Sequence, residues 1–224
     1  MIGKKNKIIL PITVLIMAGL LFIAWVYTGI YGLPWKVRET KVTAEKYLTK
    51  KYPDLKYKVG KAHYCSAFDY YWCNIITTGD FPINFQVIVD KKEPIEDTYY
   101  EMKVNTEAKN MIAGLIKNSV PPIENISALS DAGPNSTKET YEKYTSYIPE
   151  KSYPLKIDIV WKGDKMSLDT FIDKALTVRD IFKNNNISFC VLSIQDSANG
   201  YVIELNKDNY NLSKDEVIKT KTAH

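Results

Sequence analysis

Residues 8–31 read IILPITVLIMAGLLFIAWVYTGIY, and this stretch decides how the rest of the chain is organised. It has 24 residues and no charge. At 1.5 Å rise per residue it can cross a hydrocarbon core about 30 Å thick. Lipid offers backbone groups no hydrogen-bond partner, so the segment must be a helix. Pro11 falls in the first turn, where a missing N–H costs little. Trp25, Tyr27, Tyr31 and Trp35 gather at the far end, as aromatic residues do at a membrane–water interface. A signal peptide would have an apolar core of only about 7–15 residues and a small-x-small cleavage site. Thr28-Gly29-Ile30-Tyr31-Gly32 is a poor one. No second apolar stretch of spanning length follows, so a single-pass, uncleaved anchor is expected.

Working outward, Lys4, Lys5 and Lys7 precede the run with no acid among them. By the positive-inside rule they place the N-terminus in the cytoplasm and everything beyond the run outside. Lys36, Arg38 and Lys41 on the other flank weigh against this. A short inner tip still lets the remainder cross as one unit. The chain has 30 basic and 26 acidic residues; beyond the run the balance is 27 against 26. Nucleic-acid binding needs a concentrated basic face, and a near-neutral soluble part argues against it. The charge is uneven, however. Residues 36–63 hold nine bases against Glu39, Glu45 and Asp54. Lys46, Lys50, Lys51, Lys56 and Lys58 are therefore candidate contacts to an anionic surface, either lipid headgroups or wall phosphate. The competing reading makes them the solvated face of an amphipathic helix.

That helix follows the Gly32-Leu33-Pro34-Trp35 exit. Val37, Ala44, Leu48 and Tyr52 share a face with Tyr47 beside them, and Pro53 ends the pattern. Period-two alternation then marks strands around Tyr57 and Val59, over residues 71–78 and over residues 83–89. Short links make these an antiparallel three-stranded meander. Tyr100, Val104, Ala108, Met111, Ile112 and Leu115 give a second helix. Residues 119–152 carry Pro121-Pro122 and Gly133-Pro134 and read as a linker or irregular region, with Tyr141, Tyr144 and Tyr147 packing down in its second half. Beyond it, LKIDIVW at 155–161 is a strand, and Ser167 caps a helix lined by Leu168, Phe171, Ile172, Ala175, Leu176 and Phe182. Asn184-Asn185-Asn186 stops that helix. Strands at 188–194 and 201–205 join through Asn199-Gly200. Ser213-x-x-Glu216 caps a last short helix. The expected fold is α+β: a transmembrane helix (8–31) after a cytoplasmic tip (1–7), a helix-plus-meander lobe (32–118), the linker (119–152), and a β-α-β-β-α lobe (153–224).

The Gly32-Leu33-Pro34-Trp35 exit, the helix ending in Lys51-Tyr52-Pro53 and the aromatic hairpin after it resemble the YfjL-like proteins, single-pass envelope proteins of Gram-positive bacteria. The likeness is clearest over residues 1–118. It implies an envelope location and an α+β fold, and carries over no activity and no functional residue. The helix-then-meander lobe is also similar to PepSY-type and cystatin-like modules, which bind or inhibit rather than catalyse.

Residue chemistry points the same way. His63, on a strand, and the terminal His224 are the only histidines. No nucleophile elbow, CxxC, HExxH, EF-hand loop, phosphate loop or dinucleotide motif occurs, and no metal or cofactor is expected. Asp90, Glu93, Glu96, Asp97 and Glu101 are interleaved with Lys91, Lys92 and Lys103, as in a solvated turn and helix start. Cys65 and Cys73 are eight apart. If the turn centres on Asp69 they face each other, at a cross-strand Cα separation of about 4.5 Å that a disulfide can span. An envelope that avoids cysteine pairs would leave both reduced. Cys190 alternates with Ser188 and Leu192 as a small buried hydrophobe. The expectation is a non-enzymatic envelope protein that binds the bilayer and an unidentified protein partner. The alternative is an envelope-polymer hydrolase, which needs two carboxyls about 5–10 Å apart in a cleft.

Overall fold

The computed structural model describes residues 4–90, 94–131, 145–162, 166–206 and 209–216, with side chains from Thr13 onward. The side chains of Lys4, Lys5 and Lys7, together with Lys91, Lys92, Glu93, Tyr141, Tyr144 and His224, lie outside the described residues. The architecture is α+β, with two four-stranded sheets. The chain divides into two compact units, Met1–Tyr99 and Tyr100–His224. The second helix of the soluble part thus groups with the C-terminal unit, and the expected boundary at 118 moves ahead of it.

In the first unit α1 (Lys4–Tyr31) is the apolar helix. It is a candidate membrane span, none of whose apolar window is buried by protein. α2 (Pro34–Lys51) lays Thr40, Ala44 and Leu48 against a sheet of order β1-β2-β3-β4. The strands are β1 (Tyr57–Cys65), β2 (Tyr70–Thr77), β3 (Asn84–Val89) and β4 (Glu96–Asp97), all antiparallel. Tyr71, Cys73, Ile75, Phe85 and Val87 form the buried face. β1 does not keep its alternation. A bulge between Val59 and Ala62 shifts its parity, so Tyr57 and Val59 share a face with Ala62 and Tyr64. Gly60 allows this: a Cβ there would lie 2.9 Å from the Asn74 carbonyl oxygen. The short β4 was missed in the sequence, where its two acids look like a solvated turn.

The second unit begins with α3 (Tyr99–Ile116; Tyr99 itself falls in the first unit). Its sheet has the order β5 (Ile123–Ser130), β6 (Leu155–Trp161), β7 (Phe189–Asp196), β8 (Tyr201–Asn206). β6 and β7 are parallel, and the outer pairings are antiparallel. A parallel pair needs a long crossover, here α4 (Leu168–Asn184). β5 corrects the expected irregular region: its apolar alternation is weak because its inward positions include Ala128 and Ser130. Ile126, Ile157, Ile159, Trp161, Leu192, Ile194, Ile203 and Leu205 meet α3 and α4 on one face of the sheet. Ser167 caps α4 by accepting from the Thr170 N–H at 3.2 Å. Ser213 N and Oγ both donate to Glu216 Oε2 at 2.7 Å, which supplies the carboxylate half of the expected capping box. Asn105, buried mid-helix in α3, accepts from Ser130 N at 2.7 Å and Ser130 Oγ at 2.8 Å, tying α3 to the end of β5. Tyr147 packs at the edge of this core.

Phe171 is fully buried, its ring 5.5 Å from Trp161 at a 72° tilt. Truncating a buried Phe costs the transfer of its ring plus a cavity, about 3–5 kcal/mol. Phe171→Ala should therefore lower the thermal midpoint of the detergent-solubilised chain strongly by circular dichroism. Leu168, expected on the buried face, is 38% exposed because it is the first residue of the helix, ahead of the turn that packs on the sheet, so Leu168→Ala should shift the midpoint little.

Candidate functional site

The first unit is organised around the exit from α1. Gly32 adopts φ +74°, ends α1, and donates its N–H to the Thr28 carbonyl at 3.0 Å. A Cβ at this position would sit 2.7 Å from Tyr64 Cβ and 2.9 Å from Tyr71 Cε1. Leu33, extended as a residue before proline must be, donates its N–H to Tyr71 Oη at 3.0 Å. Pro34 then starts α2 at a position where a missing N–H is harmless. The two tyrosines, 4.8 Å apart between ring centroids, form a clamp that binds the end of the apolar helix to β1 and β2. Beside it Tyr27, Ile30, Tyr31, Val37, Ala62 and His63 line a cavity of about 360 Å³. His63 is exposed rather than half-buried, its ring stacked on Trp72 at 4.5 Å.

At the other end of α2 a buried charge does the fixing. The Asp97 side chain is 1% exposed. Oδ2 accepts from Lys51 Nζ at 2.8 Å and Tyr47 Oη at 2.6 Å; Oδ1 accepts from Tyr52 Oη and Tyr99 N, both at 3.0 Å. Burial pushes the Asp97 carboxyl up, but the Lys51 ammonium, the Tyr47 hydroxyl and the Tyr99 N–H outweigh it and hold it below its ordinary value. Burial and the neighbouring carboxylate raise Tyr47 to about 12 and raise Tyr52 as well, so both stay neutral donors. This corrects the solvated reading of the acidic stretch: Asp97 is a structural pivot, and burial also raises the Glu101 carboxyl.

The same contacts re-sort the basic candidates. Lys51 is committed to Asp97, with its ammonium also 5.2 Å from the Tyr52 ring centre. Lys46, Lys50, Lys56 and Lys58 are exposed. They cluster at the end of α2 remote from Gly32, where Thr49 Oγ1 meets Tyr57 Oη at 3.2 Å.

The expected Cys65–Cys73 disulfide is not formed, and all three cysteines are free thiols. The register pairs Cys65 with Tyr70 and Cys73 with Ala62, so the turn centres between Ala67 and Phe68. Cys65 lies three residues beyond the partner of Cys73, about 10 Å along the strand at 3.3 Å per residue, and on the opposite face. Cys190 is half-buried; its thiol lies 3.4 Å from Asp131 Oδ2, and burial and that carboxylate raise its pKa. Among the described residues no group of three or more histidine, cysteine or acidic side chains could hold a metal ion.

Residues 4–113 match the YfjL-like N-terminal domain, and residues 107–221 match the YfjL-like C-terminal domain. The chain belongs to the YfjL-like family. No curated protein and no solved structure matches it. The two YfjL-like matches overlap at 107–113, within α3, whereas the compact units part at its first residue. The clamp glycine and the Asp97 pivot both fall within the YfjL-like N-terminal domain.

Two variants probe this lobe. Gly32→Ala forces an alanine into a left-handed conformation against two rings, a strain of about 1–3 kcal/mol. It should make the 32–35 junction markedly more sensitive to limited proteolysis while α4 stays protected. Asp97→Asn removes the partner of a part-buried ammonium and should cost about 3 kcal/mol at pH 7. Because the folded pKa of Asp97 is depressed, its contribution is complete above the unfolded value near 3.9 and disappears as pH falls through the folded one. Thermal melts of Asp97→Asn and the native chain should therefore differ at neutral pH and converge below about pH 4.

Proposed function

We propose that the chain is a membrane-anchored interaction protein of the bacterial cell envelope, with its N-terminus in the cytoplasm, α1 crossing the bilayer once and both folded units outside. The observation that carries this reading is the combination of α1, whose apolar side chains from Val14 to Tyr31 are left uncovered by protein, with a clamp that couples its end to a folded lobe. An apolar helix of that length needs lipid to cover it. Binding is favoured over catalysis by the state of the acids. The side chains of Asp97 and Asp196 are buried and taken up by hydrogen bonds, and Glu101, half-buried with its carboxyl raised, lines neither the cavity at the exit nor the one at Glu150. Among the described residues the cavity lined by Pro149, Glu150, Lys183 and Asn186 holds one carboxyl, and glycosidase chemistry asks for two. Exposed Lys46, Lys50, Lys56 and Lys58 supply an anionic contact. Lys50 lies about 24 Å along α2 from Pro34, more than two Debye lengths, which favours wall phosphate over the headgroups at the exit.

A cysteine placed at exposed Glu124, in a chain otherwise free of thiols, should react with an impermeant maleimide on intact cells. Reaction only after lysis would invert the topology and end the envelope reading.

A further inference from the structure

The first unit carries a large exposed apolar residue that the clamp alone does not explain. β1 and β2 are joined by a four-residue turn, 66–69, closed by the Cys65–Tyr70 pair. Asp69 adopts φ +54° there, and its Oδ1 accepts from Tyr64 Oη at 2.8 Å, which fixes the turn. Phe68 projects from it 73% exposed and stacks with Tyr70 at 6.1 Å. One exposed ring needs no cover by itself; its position is what raises the question of whether anything lies against it.

Its place in the fold says what does. The penultimate pair of this hairpin, Tyr64↔Tyr71, is the pair that grips Gly32. Ala62, His63 and Tyr64 border the same cavity as Tyr27, Ile30 and Tyr31 of α1, so this part of β1 lies abreast of the last turn of the apolar helix. That last turn carries the aromatic residues expected at a membrane–water boundary, Tyr27 and Tyr31, both exposed, with Trp35 63% exposed just beyond. From Tyr64 the strand runs on into the turn, reaching about 10 Å further at 3.3 Å per residue. The turn, Ser66-Ala67-Phe68-Asp69, has no base, and its single acid is held by Tyr64. A second bare phenylalanine on the sheet connections, Phe81, sits between β2 and β3 at the opposite end of the sheet, 69% exposed. It is an internal control of equal exposure.

We propose that the β1–β2 turn is a second membrane contact, with Phe68 seated in the interfacial layer of the leaflet at which α1 emerges. The occupant of the surface is the bilayer itself, because the patch is continuous with the aromatic end of the span. The inference rests on the reading that α1 crosses the membrane. The two contacts, one helical and one a hairpin tip joined through Gly32, fix the tilt of the lobe on the surface, which a single helix cannot do. The contact is apolar, so raised salt should leave it intact, unlike a lysine–headgroup contact.

The test uses the full chain in vesicles of phosphatidylcholine with a minority of phosphatidylglycerol. Single cysteines at Leu21, Phe68 and Phe81, in a background with Cys65→Ser, Cys73→Ala and Cys190→Ser, carry nitroxide labels whose collisions with oxygen and with a water-soluble nickel chelate report depth. Leu21 should favour oxygen and Phe81 nickel, and Phe68 should side with Leu21 at low and at high salt. A label at Phe68 matching Phe81, while Leu21 reads lipid, overturns the hairpin contact alone. Leu21 reading water overturns the span and the contact together. Dipolar broadening at Phe68 that vanishes on dilution with unlabelled chain would place a second copy there instead and also overturns the proposal. Because the background removes a buried thiol, the native chain is tested in parallel with a bilayer-partitioning aryl diazirine. Photolabelling of the peptide containing Phe68 but not of that containing Phe81 is expected, and the absence of label on Phe68 beside labelled α1 refutes it.

Discussion

No side chain fits at residue 32. The Cβ and Cγ of Tyr64 and the ring of Tyr71 occupy the space, and the backbone there is left-handed. This exclusion governs the first unit. It stops α1 at the residue where the apolar run ends, turns the chain so that Leu33 can donate to Tyr71, and delivers Pro34 to the first position of α2. That turn is what couples the end of α1 to the sheet, through Leu33 and the Tyr71 hydroxyl.

α2 is held at its other end by a different kind of force. There a buried carboxylate gathers Lys51, Tyr47, Tyr52 and the Tyr99 N–H. Burying a charge is unfavourable unless it is paired and hydrogen-bonded, and Asp97 is both. A sterically closed glycine at one end and a saturated ion pair at the other leave α2 no freedom to slide along the sheet, and the apolar stripe of Thr40, Ala44 and Leu48 lies between them. The second unit uses neither device. Its core is aliphatic and aromatic on one face of a mixed sheet, with Asn105 as the polar tie between α3 and β5.

The functional reading follows from this division. In the proposed reading the first unit meets a membrane, with aromatic residues clustered where α1 emerges and exposed Lys46, Lys50, Lys56 and Lys58 at the far end of α2. In the second unit the described helices α3 and α4 cover one face of the sheet, and Leu129 and Val202 on the other are exposed among the described residues.

Much of this was legible from residues alone. The apolar helix over 8–31, the helix ending at Lys51, the strand at 155–161, the Ser167 cap, the Ser213–Glu216 contact and the Asn199-Gly200 turn each rest on local forces: apolar composition, i to i+4 packing, orphan N–H groups and left-handed backbone. Family membership was likewise visible in the exit motif. What the tertiary structure alone decided depends on partners far apart in the chain. The four-residue turn pairs Cys65 with Tyr70 and Cys73 with Ala62, and that register puts the two cysteines on opposite sides of the sheet, while the bulge after Val59 resets the parity of the earlier part of β1. β5 is a strand because β6 offers it a ladder, not because its own alternation is strong. Asp97 looks like one acid among several until α2, 46 residues earlier at Lys51, brings it a buried partner. Local sequence carries local physics, whereas register and charge burial are settled only when distant segments meet.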